Sequence, residues 1–215
     1  MVHIIGKQHS VFNQFIAEIR DENIQKDRMR FRRNIERMGE IMAYEISKTF
    51  EYSDSEVSTP LGIATIPLAT NQPVVATILR AGMPLHQGVL NYFDQADNAF
   101  ISAYRKHHKD GTFDIQLEYL SSPSLEGRTL ILCDPMLATG ASLVLTYKAL
   151  LAKGKPKHTH LVCAIASQFG VDYAKKNLPA NVTIWAGAVD EELTAHGYIV
   201  PGLGDAGDLA YGTKE

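Results

Sequence analysis

The chain has 215 residues, of which 45% are hydrophobic and 21% charged, the ordinary mixture of a globular domain. A formal net charge of -3 leaves no basic excess for nucleic-acid binding, and no apolar run is long enough to span a bilayer. The N-terminus has no apolar signal core, so we expect a cytoplasmic protein with one domain over residues 1–215. Its two cysteines, Cys133 and Cys163, are expected to be reduced and buried.

Residues 1–60 are predicted to form an N-terminal helical extension. Apolar residues recur every three to four positions between Met29 and Phe50, which places them on one face of a helix. The opposite face is charged and includes the basic run at residues 28–33, which we interpret as a solvated face or an interface rather than an RNA-binding patch. The apolar face needs a partner, either the core or another subunit, and we expect a homodimer or homotetramer.

Beyond Pro60, short apolar runs rich in β-branched residues predict buried strands of a parallel sheet. These runs lie at residues 73–79, 99–104, 128–133, 160–166 and 182–189. Predicted helices follow the first, third and fourth runs, at residues 84–95, 141–153 and 171–177. The alternation of strand and helix predicts an α/β fold with a doubly wound, mostly parallel sheet.

Two stretches interrupt this alternation. Between residues 105 and 120, Asp110-Gly111 separates two extended segments and predicts a β-hairpin. Residues 190–215 are rich in glycine and have little periodicity, so this tail is either disordered or built around a ligand.

The clearest chemical signal is a strand, turn and helix around Asp134. The apolar strand ends at this aspartate, and the sequence Thr-Gly-Ala-Ser at residues 139–142 opens the next helix. The free N–H groups and positive dipole at a helix start bind anions, and Gly140 allows a phosphate to come close. The spacing lets the carboxylate reach ribose hydroxyls while the turn holds a 5′-phosphate. The alternative is a plain strand–helix turn with an Asp cap; no Walker motif is present.

The turn at residues 134–142, Asp-Pro-Met-Leu-Ala-Thr-Gly-Ala-Ser, resembles the phosphoribosyl pyrophosphate (PRPP) signature of the uracil-specific type I phosphoribosyltransferases. Residues 78–82, Ile-Leu-Arg-Ala-Gly, resemble the family's pyrophosphate loop, and Tyr104-Arg105 resembles the segment that supplies a second pyrophosphate arginine. Residues 196–213 look like its uracil-binding tail. A weaker echo, Phe31-Arg32 with Tyr44-Glu45, lies in the N-terminal helix, and the resemblance covers the whole chain.

The resemblance implies that uracil displaces pyrophosphate from PRPP to give UMP, as in pyrimidine salvage. Mg²⁺ would enter with PRPP, so that the protein itself supplies no direct metal ligand. The residues implied for PRPP are Arg80, Ala81, Gly82, Arg105, Asp134, Pro135, Met136, Leu137, Ala138, Thr139, Gly140, Ala141, Ser142 and Asp205. Those implied for uracil are Tyr198, Ile199, Gly204, Asp205 and Ala206.

Three of these residues are expected to be catalytic. Arg80 and Arg105 would neutralise the leaving pyrophosphate, because guanidinium groups are permanently charged and present forked donors. Asp205 would help N1 of uracil to lose its proton, whereas Asp208 either caps a loop or belongs to the site. The backbone of the Gly-rich tail would meet the edge of the base and leave its groups unpaired against cytosine.

Two departures from the family pattern stand out. Ala141 replaces a glycine that is usual there, which is tolerable if its φ is negative, and residues 83–87 are more polar than usual, which could alter subunit contacts or an effector response. GTP is a candidate effector because some relatives respond to it. The alternatives are a regulatory RNA-binding protein on the same fold and a phosphoribosyltransferase for another base. A non-enzymatic binding module would explain the turn but not the paired arginines.

Overall fold

The computed structural model describes residues 1–107 and 113–213, and for residues 103–107 and 113–117 it describes the backbone alone. The predicted Asp110-Gly111 turn therefore lies outside the described residues. The elements run in this order: β1 (Val2–Ile4), α1 (Phe12–Arg20), α2 (Arg28–Ser47), β2 (Tyr52–Thr59), β3 (Gly62–Ala69), β4 (Val74–Leu79), α3 (Met83–Leu90), β5 (Asp97–His107), β6 (Phe113–Ser121), β7 (Thr129–Cys133), β8 (Met136–Leu137), α4 (Ala141–Leu150), β9 (His158–Ser167), α5 (Gln168–Asn177), β10 (Val182–Asp190), β11 (Glu192–Leu193), β12 (Ile199–Val200) and α6 (Ala206–Tyr211).

The main sheet follows the order β1-β10-β9-β7-β4-β5-β6, with the short β8 also paired to β9. Neighbouring strands are parallel from β1 through to β5, and only the β5–β6 pair of this sheet, as far as the structure describes it, is antiparallel. The predicted α/β fold with a mostly parallel sheet is confirmed. Because parallel strands end at the same edge of the sheet, β4 and β7 end side by side, at Leu79 and at Cys133. In this pair Thr77 is the residue opposite Cys133.

Helices cover both faces of the sheet, which is why its strands read as nearly continuous apolar runs. Alternate residues of β7 enter two separate cores: Ile131 and Cys133 pack toward α1, α2, α3 and α6, while Leu130 and Leu132 pack toward α4 and α5. The sheet is therefore doubly wound, and its carboxyl edge is left free for loops.

Helix α2 begins at an N-cap, Asp27, whose side chain accepts hydrogen bonds from the N–H groups of Met29 and Arg30. Its apolar face is buried in the core beneath α3 and α1, as the periodicity predicts. The partner of this face is thus the chain's own core, and the face gives no support for an oligomer.

Several elements were not predicted, and two of them, β1 and β2, are strands within residues 1–60, which were expected to form a helical extension. Strands β2 and β3 form a separate antiparallel hairpin, from Tyr52 opposite Ala69 to Thr59 opposite Gly62, and most of its side chains are exposed. In the tail, α6 interrupts what the sequence suggested to be a loop. Strands β5 and β6 pair antiparallel from Phe100 opposite Ser121 onward. No helix among the described residues is long and apolar enough to cross a membrane.

Candidate active site

The turn after β7 surrounds a small cavity at the carboxyl edge of the sheet. The cavity has a volume of about 150 Å³ and is lined by Asp134, residues 136–140, Ser142 and Leu143. The Asp134 N–H donates to the Val162 carbonyl at 3.0 Å, and its Oδ1 accepts from the Met136 N–H at 3.4 Å. The cavity is larger than the share of one water molecule in the liquid, about 30 Å³, and has room for a compact anion.

Neighbouring elements occupy the turn's carbonyl groups. The Pro135 carbonyl accepts from the N–H groups of Ala164 and Ile165, both at 3.0 Å, and the Ala138 carbonyl accepts from the Ser167 hydroxyl. None of these donors lines the cavity. The turn is thus tied to β9 through its acceptors. The Ala141 N–H donates to the Thr139 hydroxyl at 3.4 Å, and the first N–H groups of α4 have no carbonyl partner within the helix, which suits an anion.

Gly140 is required where it stands. It is the N-cap of α4 and has a left-handed backbone with φ of 79°. A Cβ at this position would also lie 3.0 Å from the Gly170 carbonyl and 3.1 Å from the ring of Tyr173, so both conformation and packing demand glycine. Ala141 is the first residue of α4, and no described residue other than glycine has a positive φ. The methyl group of Ala141 therefore causes no backbone strain.

The loop after β4 packs directly on the end of β7. A Cβ on Gly82 would lie 2.8 Å from the Cys133 carbonyl, so this glycine permits the two strand ends to meet. Pro84 stands in the first turn of α3, as predicted. His86, one of the unusually polar residues at 83–87, is buried and lies against the ring of Phe100. Burial lowers the pKa of the His86 imidazole. This polar side chain, which departs from the family pattern, therefore faces the protein interior.

Arg80 connects this loop to the tail. Its Nη2 donates to the Gly212 carbonyl at 2.8 Å and lies 3.4 Å from Oδ1 of Asp208. Its Nε is buried and has no hydrogen-bond partner. A buried donor without a partner costs about 1 to 3 kcal/mol, so this position favours an incoming anion.

The two tail aspartates have different roles in the structure. Asp205 is the N-cap of α6, and its Oδ1 accepts from the Asp208 N–H at 3.0 Å. Asp208 is the residue whose carboxylate faces Arg80. The sequence left open whether Asp208 caps a loop; in the structure the capping residue is Asp205. The N–H groups of Ala206 and Gly207, at the first two positions of α6, have no carbonyl within the helix to bond.

Of the base-binding residues expected from the sequence, Tyr198 and Ile199 lie in a tight reversal and the short strand after it, and the other three lie just before α6 or at its start. The Tyr198 backbone is used inside the reversal, since its carbonyl accepts from the Thr194 N–H and its N–H donates to the Thr194 hydroxyl. Pairs alternate along an antiparallel ladder, so Ile199, the next residue, turns its N–H and C=O away from β11. The Tyr198 side chain is exposed. Gly204, with φ of 95°, lies between this strand and α6.

Arginines from the N-terminal helices hold the tail, a feature that the sequence did not reveal. Arg20 of α1 makes a bidentate pair with Asp190, with both distances 2.7 Å, and also donates to the Gly202 carbonyl at 2.8 Å. Arg32 of α2 donates to the Ala210 carbonyl at 2.6 Å. For Arg32 the sequence offered the basic run at residues 28–33 and the weak family echo at Phe31-Arg32, and neither of them indicates a partner.

The structure brings most of the predicted site residues to one edge of the sheet. The turn, the loop at residues 80–82 and the tail are in contact through Gly82 and Arg80. Arg105 lies in β5, but its side chain is outside the described residues. Among the residues that the structure describes, no group of three or more His, Cys, Asp or Glu side chains could hold a metal.

A mostly parallel α/β sheet with an anion-sized cavity and an arginine at adjacent strand ends defines an α/β protein of the phosphate-binding class. The chain belongs to the uracil phosphoribosyltransferase family, whose sequence model matches residues 6–213.

Similar proteins cover nearly the whole chain. The uracil phosphoribosyltransferase of Porphyromonas gingivalis is 56% identical over 214 residues, 100% of this chain and 99% of the relative. That of Methanothermobacter thermautotrophicus is 39% identical over 184 residues, 85% and 83% of the two chains. The solved structure of the AQ2163 protein from Aquifex aeolicus superposes with a TM-score of 0.86 and 29% identity, covering 99% and 98% of the chains. The family expected from the sequence is confirmed.

Proposed function

We propose that this chain transfers the phosphoribosyl group of PRPP to uracil, which forms UMP and pyrophosphate. The family match supports the reaction, and one observation of the structure carries it. Arg80 stands at the end of β4, beside the turn that begins at Asp134, and donates to the tail at Gly212. Sugar phosphate, pyrophosphate and base can therefore meet within one cleft.

The turn would hold the 5′-phosphate and the ribose of PRPP. The cavity at Gly140, beside the first N–H groups of α4 and lined by Thr139 and Ser142, suits a phosphate. Asp134, at the rim of this cavity, would accept hydrogen bonds from the ribose hydroxyls. Replacing Asp134 with alanine should therefore weaken PRPP binding.

The leaving pyrophosphate would lie against Arg80 and the backbone of Ala81 and Gly82, with Arg105 as the second cation. Fixed positive charge at this position stabilises the negative charge that grows as the C1–O bond breaks. Mg²⁺ would enter as part of the PRPP substrate and add further positive charge. The buried, unpaired Nε of Arg80 supports this assignment, since an anion would supply its missing partner.

Uracil would be read by the backbone of Ile199, Gly204 and Ala206, with the ring of Tyr198 and the carboxylate of Asp205 beside it. The outward N–H and C=O of Ile199 and the free N–H of Ala206 can match the two carbonyls and the N3–H of uracil. Cytosine, with an amino group and a bare N3, would leave these groups unpaired, which discriminates strongly.

The direct test supplies the protein with PRPP, Mg²⁺ and one base at a time, and measures nucleotide formation. We expect UMP from uracil and no product from cytosine, hypoxanthine or guanine. Product from a purine instead would favour a phosphoribosyltransferase for another base. No product with any base, together with RNA binding, would favour the regulatory alternative.

Asp205 provides a second test. In Asp205→Asn the side-chain oxygen can still cap α6, because an amide oxygen accepts from the Asp208 N–H as a carboxylate does. If the carboxylate helps N1 to lose its proton, kcat/KM should fall about a hundredfold, within the usual range for acid–base catalysis. Near-normal turnover in this variant would remove Asp205 from the chemistry.

We also propose that the chain forms a dimer or tetramer. The hairpin of β2 and β3 supports this, because it exposes a group of large apolar side chains to solvent: Tyr52, Val57, Leu61, Ile63, Ile66 and Leu68. The molar mass in solution, from light scattering, tests the proposal, and a monomer at micromolar concentration would contradict it. Control by GTP and the cytoplasmic location stay predictions.

A further inference from the structure

The C-terminal end of α6 is held by two arginines that come from different parts of the fold. Arg32 donates to the Ala210 carbonyl at 2.6 Å, and its guanidinium lies 5.8 Å from the centre of the Tyr211 ring. Arg80 donates to the Gly212 carbonyl at 2.8 Å. The last carbonyls of a helix have no donor within it, so both cations satisfy orphan acceptors at the negative end of the dipole.

The two arginines stand on different supports. Arg32 belongs to α2, whose apolar face is buried in the core, and Arg28 lies one turn earlier on the same helix with its guanidinium close to Gly212. Arg80 belongs to the loop that the proposed reaction assigns to pyrophosphate. Its contacts with the tail are a neutral carbonyl and a carboxylate at 3.4 Å.

Pyrophosphate that binds the unpaired Nε of Arg80 would also attract the adjacent Nη2, which now donates to Gly212, so the anion and the tail would compete for Nη2. A multiply charged anion accepts shorter and stronger hydrogen bonds from guanidinium than a neutral carbonyl does. When PRPP binds, the contact from Arg80 to Gly212 is therefore the one to weaken. Helix α6 would lose this contact at the moment when it has to hold uracil. Arg32 would keep its hydrogen bond to the Ala210 carbonyl.

We propose that Arg32 is a positioning residue that keeps α6 in place for uracil while PRPP takes up Arg80. The proposal rests on the proposed function. The effect of Arg32 passes through the Ala210 carbonyl and the Tyr211 ring to the first turn of the same short helix, where Asp205 and Ala206 lie. The N-terminal helix is thereby part of the base-binding apparatus.

The first experiment compares Arg32→Met with Arg33→Met. Arg33 is the next residue of α2 and pairs with Glu36 on an exposed face, away from the tail, so it makes a matched control. In Arg32→Met we expect the KM for uracil to rise about tenfold, the loss of one charged hydrogen bond, and the KM for PRPP to change less than about twofold. Arg33→Met should match the wild type. A uracil KM unchanged in Arg32→Met would overturn the proposal.

The second experiment measures amide hydrogen exchange in residues 206–212, with and without Mg²⁺-pyrophosphate. In the wild type we expect protection to be the same in both conditions. In Arg32→Met without pyrophosphate, amide protection should be near that of the wild type, since Arg80 still holds Gly212. Protection should fall when pyrophosphate is added. Arg32→Lys, which can still donate to Ala210, should restore much of this protection.

The outcomes separate the two proposals. If α6 exchanges freely in Arg32→Met even without pyrophosphate, Arg32 is an ordinary structural tie and the inference is wrong. If pyrophosphate leaves amide hydrogen exchange in Arg32→Met unchanged, Arg80 keeps its contact with Gly212 when the anion binds, and the inference is again wrong. Failure of the wild type to make UMP would instead remove the proposed function, and the exchange measurement needs no turnover.

Discussion

The phosphate turn and the base-binding tail lie at the same edge of the sheet, but they are held there differently. The turn is fixed by the adjacent strand β9, through main-chain bonds to Pro135 and the bond from Ser167 to Ala138, 29 residues apart. The tail is fixed by arginine side chains 132, 178 and 182 residues away in sequence: Arg80, Arg32 and Arg20. A backbone change should therefore disable the turn, whereas single side-chain changes should displace the tail.

The largest effect is expected from Gly140→Ala in the turn. Alanine in the left-handed region costs about 1 to 2 kcal/mol, and its Cβ would press on the Gly170 carbonyl and on Tyr173. We expect PRPP affinity, measured by titration calorimetry, to fall about tenfold to thirtyfold as this strain is relieved by moving the N–H groups of the turn.

Gly127→Ala is the matched control for that change. Gly127 has a similar backbone, with φ of 67°, but a Cβ there would meet no atom within 4 Å, and the residue does not line the cavity. We expect a comparable loss of stability in thermal denaturation and unchanged PRPP affinity. Equal losses of affinity in both variants would mean that general destabilisation, and not the shape of the turn, is responsible.

Arg20→Gln, which acts on the tail, should change uracil binding and not PRPP binding. The substitution removes the bidentate pair with Asp190, a carboxylate whose side chain is 9% exposed, and the donor to the Gly202 carbonyl. We expect the KM for uracil to rise about fivefold, since one charge-assisted contact to the loop is lost, while PRPP affinity stays near normal.

Arg30→Gln serves as the control for Arg20, because Arg30 pairs with Glu18 at 2.9 Å and its side chain is 51% exposed. Exposed pairs of this kind contribute about 0 to 1 kcal/mol, so its kinetics should stay close to those of the wild type. A parallel loss of uracil and PRPP binding in Arg20→Gln would break the comparison, because it would show that the turn and the tail move together.

The same contrast explains what the sequence could predict. The turn was predictable because strand, aspartate, glycine and helix follow one another within about fifteen residues, and each contributes a local signal. The contacts of Arg20 and Arg32 join distant segments, and neither residue type nor spacing reveals them. The basic run around Arg32 had the pattern of a solvated face, and only the packing of α2 against α6 turns that residue toward the tail.

The sequence did not predict the hairpin of β2 and β3 or helix α6, for a related reason. The hairpin of β2 and β3 is exposed on both faces, so it lacks the alternation of a half-buried strand, the signal on which strand prediction depends. Helix α6 has six residues, fewer than two turns, so no periodicity can develop. Its start depends on Asp205, which the sequence analysis assigned to chemistry and not to capping.

The last effect concerns stability and arises where the two regions share support, in the sheet itself. His160 of β9 is buried, accepts from the Trp185 indole N–H at 3.0 Å, and has its pKa lowered from 6.5 to about 3 by burial and by His158 and His3. The imidazole stays neutral in the fold, but the unfolded chain binds a proton below about pH 6.5. Stability should therefore fall as the pH drops from about 6.5 toward 3, by about 1.4 kcal/mol per unit from this residue.

His160→Gln tests this reasoning, because the glutamine side chain can still accept from Trp185 and does not titrate. We expect denaturant unfolding of the variant to depend less steeply on pH between 6 and 4.5, by about one proton, with the wild type more stable at pH 7. An equal slope in wild type and His160→Gln would contradict the prediction. Because β9 holds the turn through hydrogen bonds to Pro135 and Ala138 and β10 leads to the tail, acid should weaken PRPP and uracil binding together.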